Sequence, residues 1–169
     1  MKKRILLIGM ILISMISYAQ VVTAPQDEDA KKLKSTLELL NGAEVVMDVD
    51  TNLYPKLEGM SYFSEDEKAG IVPMVVPASF EKMKEDLEKQ KDQPGVEILE
   101  QTAKEIGGKK LLVLKQRINR EGVPYINMIF CERNTDESTI LISTFYEESK
   151  ERIYEATINK AIISAKIKS

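Results

Sequence analysis

Four strand-like runs follow one another with almost nothing between them, and no other feature constrains the chain as tightly. They are Val96–Glu105, Lys110–Asn119, Tyr125–Arg133 and Thr139–Tyr146, separated by Gly107-Gly108, "REGVP" and "NTDES". The runs hold β-branched and aromatic residues, and the breaks hold turn formers. Connections this short join antiparallel neighbours, because a parallel return needs a crossover of about a dozen residues or more. A meander is therefore predicted. Its strands do not alternate cleanly: "LLVL" and "ILI" are apolar on both sides, so both faces of the sheet should be covered.

Helices to cover them are predicted at the start, middle and end of the chain. Ala30, Leu33, Leu37 and Leu40 make one stripe at three- and four-residue spacing. Asp27, Glu28 and Asp29 suit that helix's N-terminus, and Asn41-Gly42 stops it. Ser79–Lys91 is amphipathic, with Phe80, Met83 and Leu87 inward, Ser79 as cap and Asp92-Gln93-Pro94-Gly95 as terminator. Glu147–Lys166 aligns Tyr154, Ile158 and Ile162. Ala43–Val49 and Met60–Phe63 read as short strands. "IVPMVVP" reads as another, whose Pro73 and Pro77 place it at an edge or an end. The sum is an α+β domain over 27–169, with a mainly antiparallel sheet sandwiched by helices.

The N-terminus is read as an address. Lys2, Lys3 and Arg4 precede an apolar run, Ile5–Ile16, and small residues Ser17 and Ala19 occupy −3 and −1 of a cut before Gln20. The apolar core of about 12 residues falls short of the roughly 20 that span a bilayer. Residues 1–19 are thus predicted to be a cleaved signal peptide, with 20–26 a flexible segment. The mature chain is expected in the periplasm or outside the cell, with no stable membrane span. Loss of the leader's three basic residues takes the balance from 24 basic against 27 acidic to 21 against 27. That acidity gives no general attraction to nucleic acid or anionic membranes. Cys131 is the one cysteine, so no internal disulfide forms. It shares a strand face with Ile129 and Asn127 and reads as a small buried hydrophobe.

The stretch from "EIGGKKLLVLKQRI" through "GVPYINMIFCE" and "STILISTFY" to "ATINKAIISAKI" resembles the PsbP-like superfamily of α/β/α sandwiches, which includes DcrB-like envelope proteins. The last segment is similar to that group's closing helix, which often ends in a serine followed by a basic residue, as Ser164 and Lys166 do here. Tyr54-Pro55 matches an aromatic–proline pair of that group, without the tryptophan that follows it there. The resemblance implies the sandwich fold and a non-enzymatic binding or assembly role, and it brings no functional residue with it.

The chemistry read from the residues points the same way. Without histidine there is no Ser-His-Asp or Cys-His set and no His-based zinc site. No dinucleotide or P-loop fingerprint exists, and no cofactor is called for. Three patterns carry alternatives. Ser79–Lys82 has the S-x-x-K spacing of serine acyltransferases, but Ser79 as helix cap explains it. Asp48, Asp50 and Asn52 open like a calcium loop, but Leu53 stands where glycine is required and Gly59 where glutamate is. Tyr54, Tyr62, Phe63 and Tyr125 lie in or beside loops, and exposed aromatics serve recognition well; residues 50–70 are the expected surface. The sequence thus predicts an exported, non-enzymatic binding module of the bacterial envelope, its partner an envelope protein or a small ligand. The alternative is a small secreted hydrolase using carboxylates or Ser79 and Lys82.

Overall fold

The meander forms as expected. β5 (Val96–Ile106), β6 (Lys109–Arg120), β7 (Val123–Arg133) and β8 (Thr139–Glu147) pair in sequence order, each antiparallel to the next. Two tight turns set its register. Gly107 and Gly108, both at positive φ (59° and 82°), link β5 to β6, and Glu121 and Gly122 (52° and 84°) link β6 to β7. Two successive positive-φ residues make the turn whose twist matches that of paired strands. Glycine adopts that backbone freely; Glu121 does so under strain.

The computed structural model describes residues 43–91 and 94–168. The leader, the 20–26 segment and the helix predicted from Ala30 to Leu40 lie outside the described residues. Ahead of the meander come β1 (Val45–Val46), β2 (Lys56–Glu58), β3 (Ser61–Phe63) and β4 (Gly70–Val76). β2 to β8 form one antiparallel sheet in the order β2-β3-β4-β8-β7-β6-β5. Pro73 proves compatible with this arrangement for a local reason. β3 reaches only Ile71 and Gly70, so from Val72 onward β4 has β8 on one side and no described strand on the other.

Helices α1 (Phe80–Glu88) and α2 (Glu151–Ser164) lie on opposite faces of the sheet. Ser79 caps α1 by accepting the Lys82 N–H at 3.2 Å. Leu87 is buried, the Phe80 ring lies 5.1 Å from the Arg133 guanidinium, and Gln101 donates to the Leu87 carbonyl. On the other face, Tyr154, Ile158, Ala161 and Ile162 of α2 pack onto Leu111, Val113, Ile126, Met128, Phe130, Ile140, Ile142 and Tyr146. Burial of each large apolar side chain contributes on the order of 1.5–3 kcal/mol. The architecture is the α+β sandwich that the sequence predicts. Two details differ. The closing helix begins at Glu151, because Glu147 ends β8 and Glu148–Lys150 form a 3-10 turn. After it, Lys166–Ile167 (β9) pairs with β1, leaving a strand of two residues where Ala43–Val49 was expected. No helix among the described residues is long and apolar enough to cross a membrane.

Candidate functional site

The stretch Ser64–Ala69 is drawn into a tight loop around one side chain. Ser64 Oγ accepts the Ala69 N–H at 3.0 Å and donates to Asp66 Oδ1 at 2.8 Å, and its carbonyl accepts the Glu67 N–H at 3.0 Å. Glu67 takes a left-handed φ of 58° to allow the turn. The loop delivers Lys68 to Glu147 at 2.6 Å, at the end of β8. Lys150 completes the group, 3.4 Å from Asp66 and 3.5 Å from Glu147. Lys68 holds the Glu147 carboxyl below its ordinary range, chiefly through that hydrogen bond. For Asp66, burial works upward, but Ser64, the Lys68 N–H and Lys150 outweigh it and the carboxyl is lowered.

β7 brings Tyr125 opposite Glu147, and Asn127 opposite Phe145. Arg120, from the end of β6, reaches across them, its guanidinium 5.3 Å from the centre of the Tyr125 ring and 5.8 Å from that of Phe145. Such stacking contributes about 0.5–2 kcal/mol. Burial lowers the Arg120 pKa, and the phenolate form of Tyr125 beside it only partly opposes that. Burial likewise raises Tyr125, with Glu147 adding to it. Among the described residues no carboxylate reaches Arg120. Deeper on the same face, Asn127 donates to Gln116 at 3.3 Å, while Asn127 Oδ1 and Ser143 Oγ are buried with no hydrogen-bond partner among the described residues.

The four predicted aromatics are divided by the sheet. Tyr54 is 1% exposed and its ring meets that of Tyr154 at a tilt, centres 5.6 Å apart, and Tyr62 leans on the same α2-side core. Phe63, 7% exposed, faces Phe145 on the opposite side. Tyr54 and Phe63 thus correct the expectation of a loop surface: a β-hairpin and a turn tuck them into the core. Tyr125 alone of the four joins the charged cluster. Arg120, Lys68, Glu147, Asn127 and Ser143 are not site candidates in the sequence reading, although Asn127 in "YINMIF" and Ser143 in "ILIST" interrupt apolar runs on one face.

The other sequence candidates have separate employment. Asp48 pairs with Lys160 at 2.8 Å and donates its N–H to Ser164 at 2.8 Å. Asp50 Oδ1 accepts the Asn52 N–H at 2.9 Å, so both carboxylates of the calcium-like stretch have partners within the protein. An open groove of about 440 Å³ lies there, lined by Val49, Asp50, Thr51, Ala156, Thr157 and Lys160. Among the described residues no cluster of acidic, cysteine or histidine side chains is placed to hold a metal. Ser79 Oγ serves as the cap while Lys82 Nζ lies 2.8 Å from Asp86.

No family model and no curated protein matches this sequence. Solved structures do. LpqN, involved in cell envelope biogenesis of Mycobacterium tuberculosis, superposes with a TM-score of 0.55 at 10% identity, over 76% of this chain and 85% of that one. The two share a fold. A protein from Bacteroides thetaiotaomicron gives 0.50 at 10% identity over 75% of this chain, which spans 46% of that longer one. Cyanobacterial PsbP from Synechocystis gives 0.42 at 10% identity, over 75% and 94% of the two chains, an overlap too loose to argue from. At these identities the likeness is one of architecture alone.

Proposed function

We propose that this chain is an exported, non-enzymatic binding module of the bacterial envelope. Its leader is cleaved between Ala19 and Gln20, and the single domain over 27–169 engages an envelope protein or a small ligand at the sheet end that carries Tyr125, Arg120 and the Ser64–Ala69 loop. The observation that carries this reading is the state of the charges there. Glu147 is held ionised by Lys68, and Asp66 by Ser64, the Lys68 N–H and Lys150, which suits neither for proton transfer near neutrality, while Arg120 has no carboxylate partner among the described residues. A fixed, charged, aromatic-flanked surface favours recognition over turnover. The envelope role of LpqN, with the same fold, agrees with this setting.

The test has two parts in the native cells. The envelope fraction is examined for a mature chain beginning at Gln20, and a photo-crosslinker replacing Tyr125 reports what touches that surface. A processed chain with one crosslinked protein, or a co-purifying small molecule seen by native mass spectrometry, is the expected result. An unprocessed cytosolic chain, or a Tyr125 probe that captures no more than the same probe at Arg152, sinks the reading.

A further inference from the structure

Most cations around the site are matched. Lys68 and Lys150 share Glu147 and Asp66, and Lys56 lies 3.2 Å from Glu67 and 4.0 Å from Glu65. Arg117, three residues before Arg120 on the same strand, is held by Glu97 and Glu148, at 2.6 and 2.7 Å. Arg120 departs from this pattern. Its guanidinium is half-buried, lies 5.3 and 5.8 Å from the centres of two aromatic rings, and the described residues offer it no carboxylate. A guanidinium removed from water presents a planar fork of donors that a carboxylate fills in bidentate fashion.

A second observation, independent of charge, lies on the same face. Asn127 and Ser143, 5% and 2% exposed, carry polar atoms without a hydrogen-bond partner among the described residues. Asn127 is two residues along β7 from Tyr125, and Ser143 is two along β8 from Phe145, so both unmatched atoms belong to strands that Arg120 overlies. Buried polar atoms are normally satisfied, and each exception asks for a reason. The Val123 side chain, cross-strand partner of Arg120, is 39% exposed and supplies apolar surface at the rim.

We infer that Arg120 anchors the carboxylate of a small organic acid whose apolar body lies along Tyr125 and Val123. One negative charge matches the one cation of this sheet end to which the described residues offer no carboxylate. A phosphate dianion would bring excess charge towards Glu147, two strands over and directly opposite Tyr125. The inference rests on the binding-module reading above and narrows it to a ligand class.

Titration of isotope-labelled, purified protein by NMR tests it, with benzoate, benzyl alcohol and inorganic phosphate as probes. Benzoate is expected to shift the Arg120 Nε–Hε and Asn127 side-chain signals saturably, while benzyl alcohol leaves them in place. Arg120→Gln should weaken benzoate at least about tenfold, or about 1.4 kcal/mol. Arg120→Lys, which keeps the charge and loses the fork, should retain part of the affinity. Arg152→Gln, on the exposed side of α2, should retain all of it. Equal response to benzyl alcohol, tighter binding of phosphate, or no saturable shift at Arg120 overturns the inference. If Tyr125 still captures a partner in cells, the binding module stands and only this ligand class falls.

Discussion

Lys68 Nζ lies 2.6 Å from Glu147 Oε1, and this pair fastens the Ser64–Ala69 loop to the last residue of β8. Lys68 in turn depresses the Glu147 carboxyl. A carboxyl whose folded value lies below its unfolded one, about 4.3 for glutamate, stabilises the fold above that pH. The contribution is lost as pH falls through the folded value. Stability is therefore expected to drop on acidification below about pH 4.3, and Lys68→Met should flatten that limb of the curve. Urea unfolding across the acid range checks it. An unchanged acid limb in the variant would remove Lys68 as the cause.

Gly70 has no room for a side chain. A Cβ there would come 2.7 Å from Phe145 Cε1 and 2.8 Å from Phe63 Cδ1, two rings that are themselves buried. Gly70→Ala is expected to destabilise the fold by about 1–3 kcal/mol through overpacking. Denaturant midpoints read this directly; a neutral result would mean that the rings yield freely.

Glu121 stands at φ 52° in the turn between β6 and β7, ahead of Gly122. Asparagine-glycine is the preferred pair for such a turn, and asparagine tolerates the left-handed backbone. Glu121→Asn should stabilise the protein, by on the order of 1 kcal/mol. A fall in the thermal midpoint would show that the glutamate side chain holds something the backbone strain conceals.

Cys131 is fully buried, and burial pushes its thiol up to about 12. A raised folded value means that the stabilisation is complete below the unfolded pKa, near 9, and is lost as pH rises through the folded one. The slope over that window is about 1.4 kcal/mol per pH unit. Cys131→Ala should lessen the slope of the alkaline limb, although Tyr54 and Tyr146, raised chiefly by burial, also contribute there. The native thiol should also resist aromatic disulfide reagents at neutral pH until the chain unfolds. Rapid labelling of folded protein would contradict its burial.

The meander was legible because its signals are local. Glycine pairs and short polar breaks set turns, and apolar stretches of matching length set strands, so the boundaries of β5 to β8 fall within two residues of expectation. Ser79, Leu87, Tyr154, Ile158 and Ile162 also take the places their spacing predicts. Pro73 misled in part. Its missing N–H argues for an edge, and β4 is an edge over only part of its length, a matter decided by how far β3 extends.

The site was harder to read. Tyr125 was visible as an aromatic beside a loop, but nothing in the sequence brings it to Lys68, 57 positions away, or sets Arg120 over Phe145. Those neighbours arise from register. Pairing Tyr125 with Glu147, and Phe145 with Gly70, brings three strands and a loop to one end of the sheet. By itself the sequence determined which segments become strands and helices and which faces must be buried, because periodicity and turn chemistry act over a few residues. Only the tertiary structure decided which charges are neutralised at this sheet end and that Arg120 is not among them. Ion pairing depends on distances of a few ångströms between residues far apart in the chain, and strand order, register and loop path together set those distances.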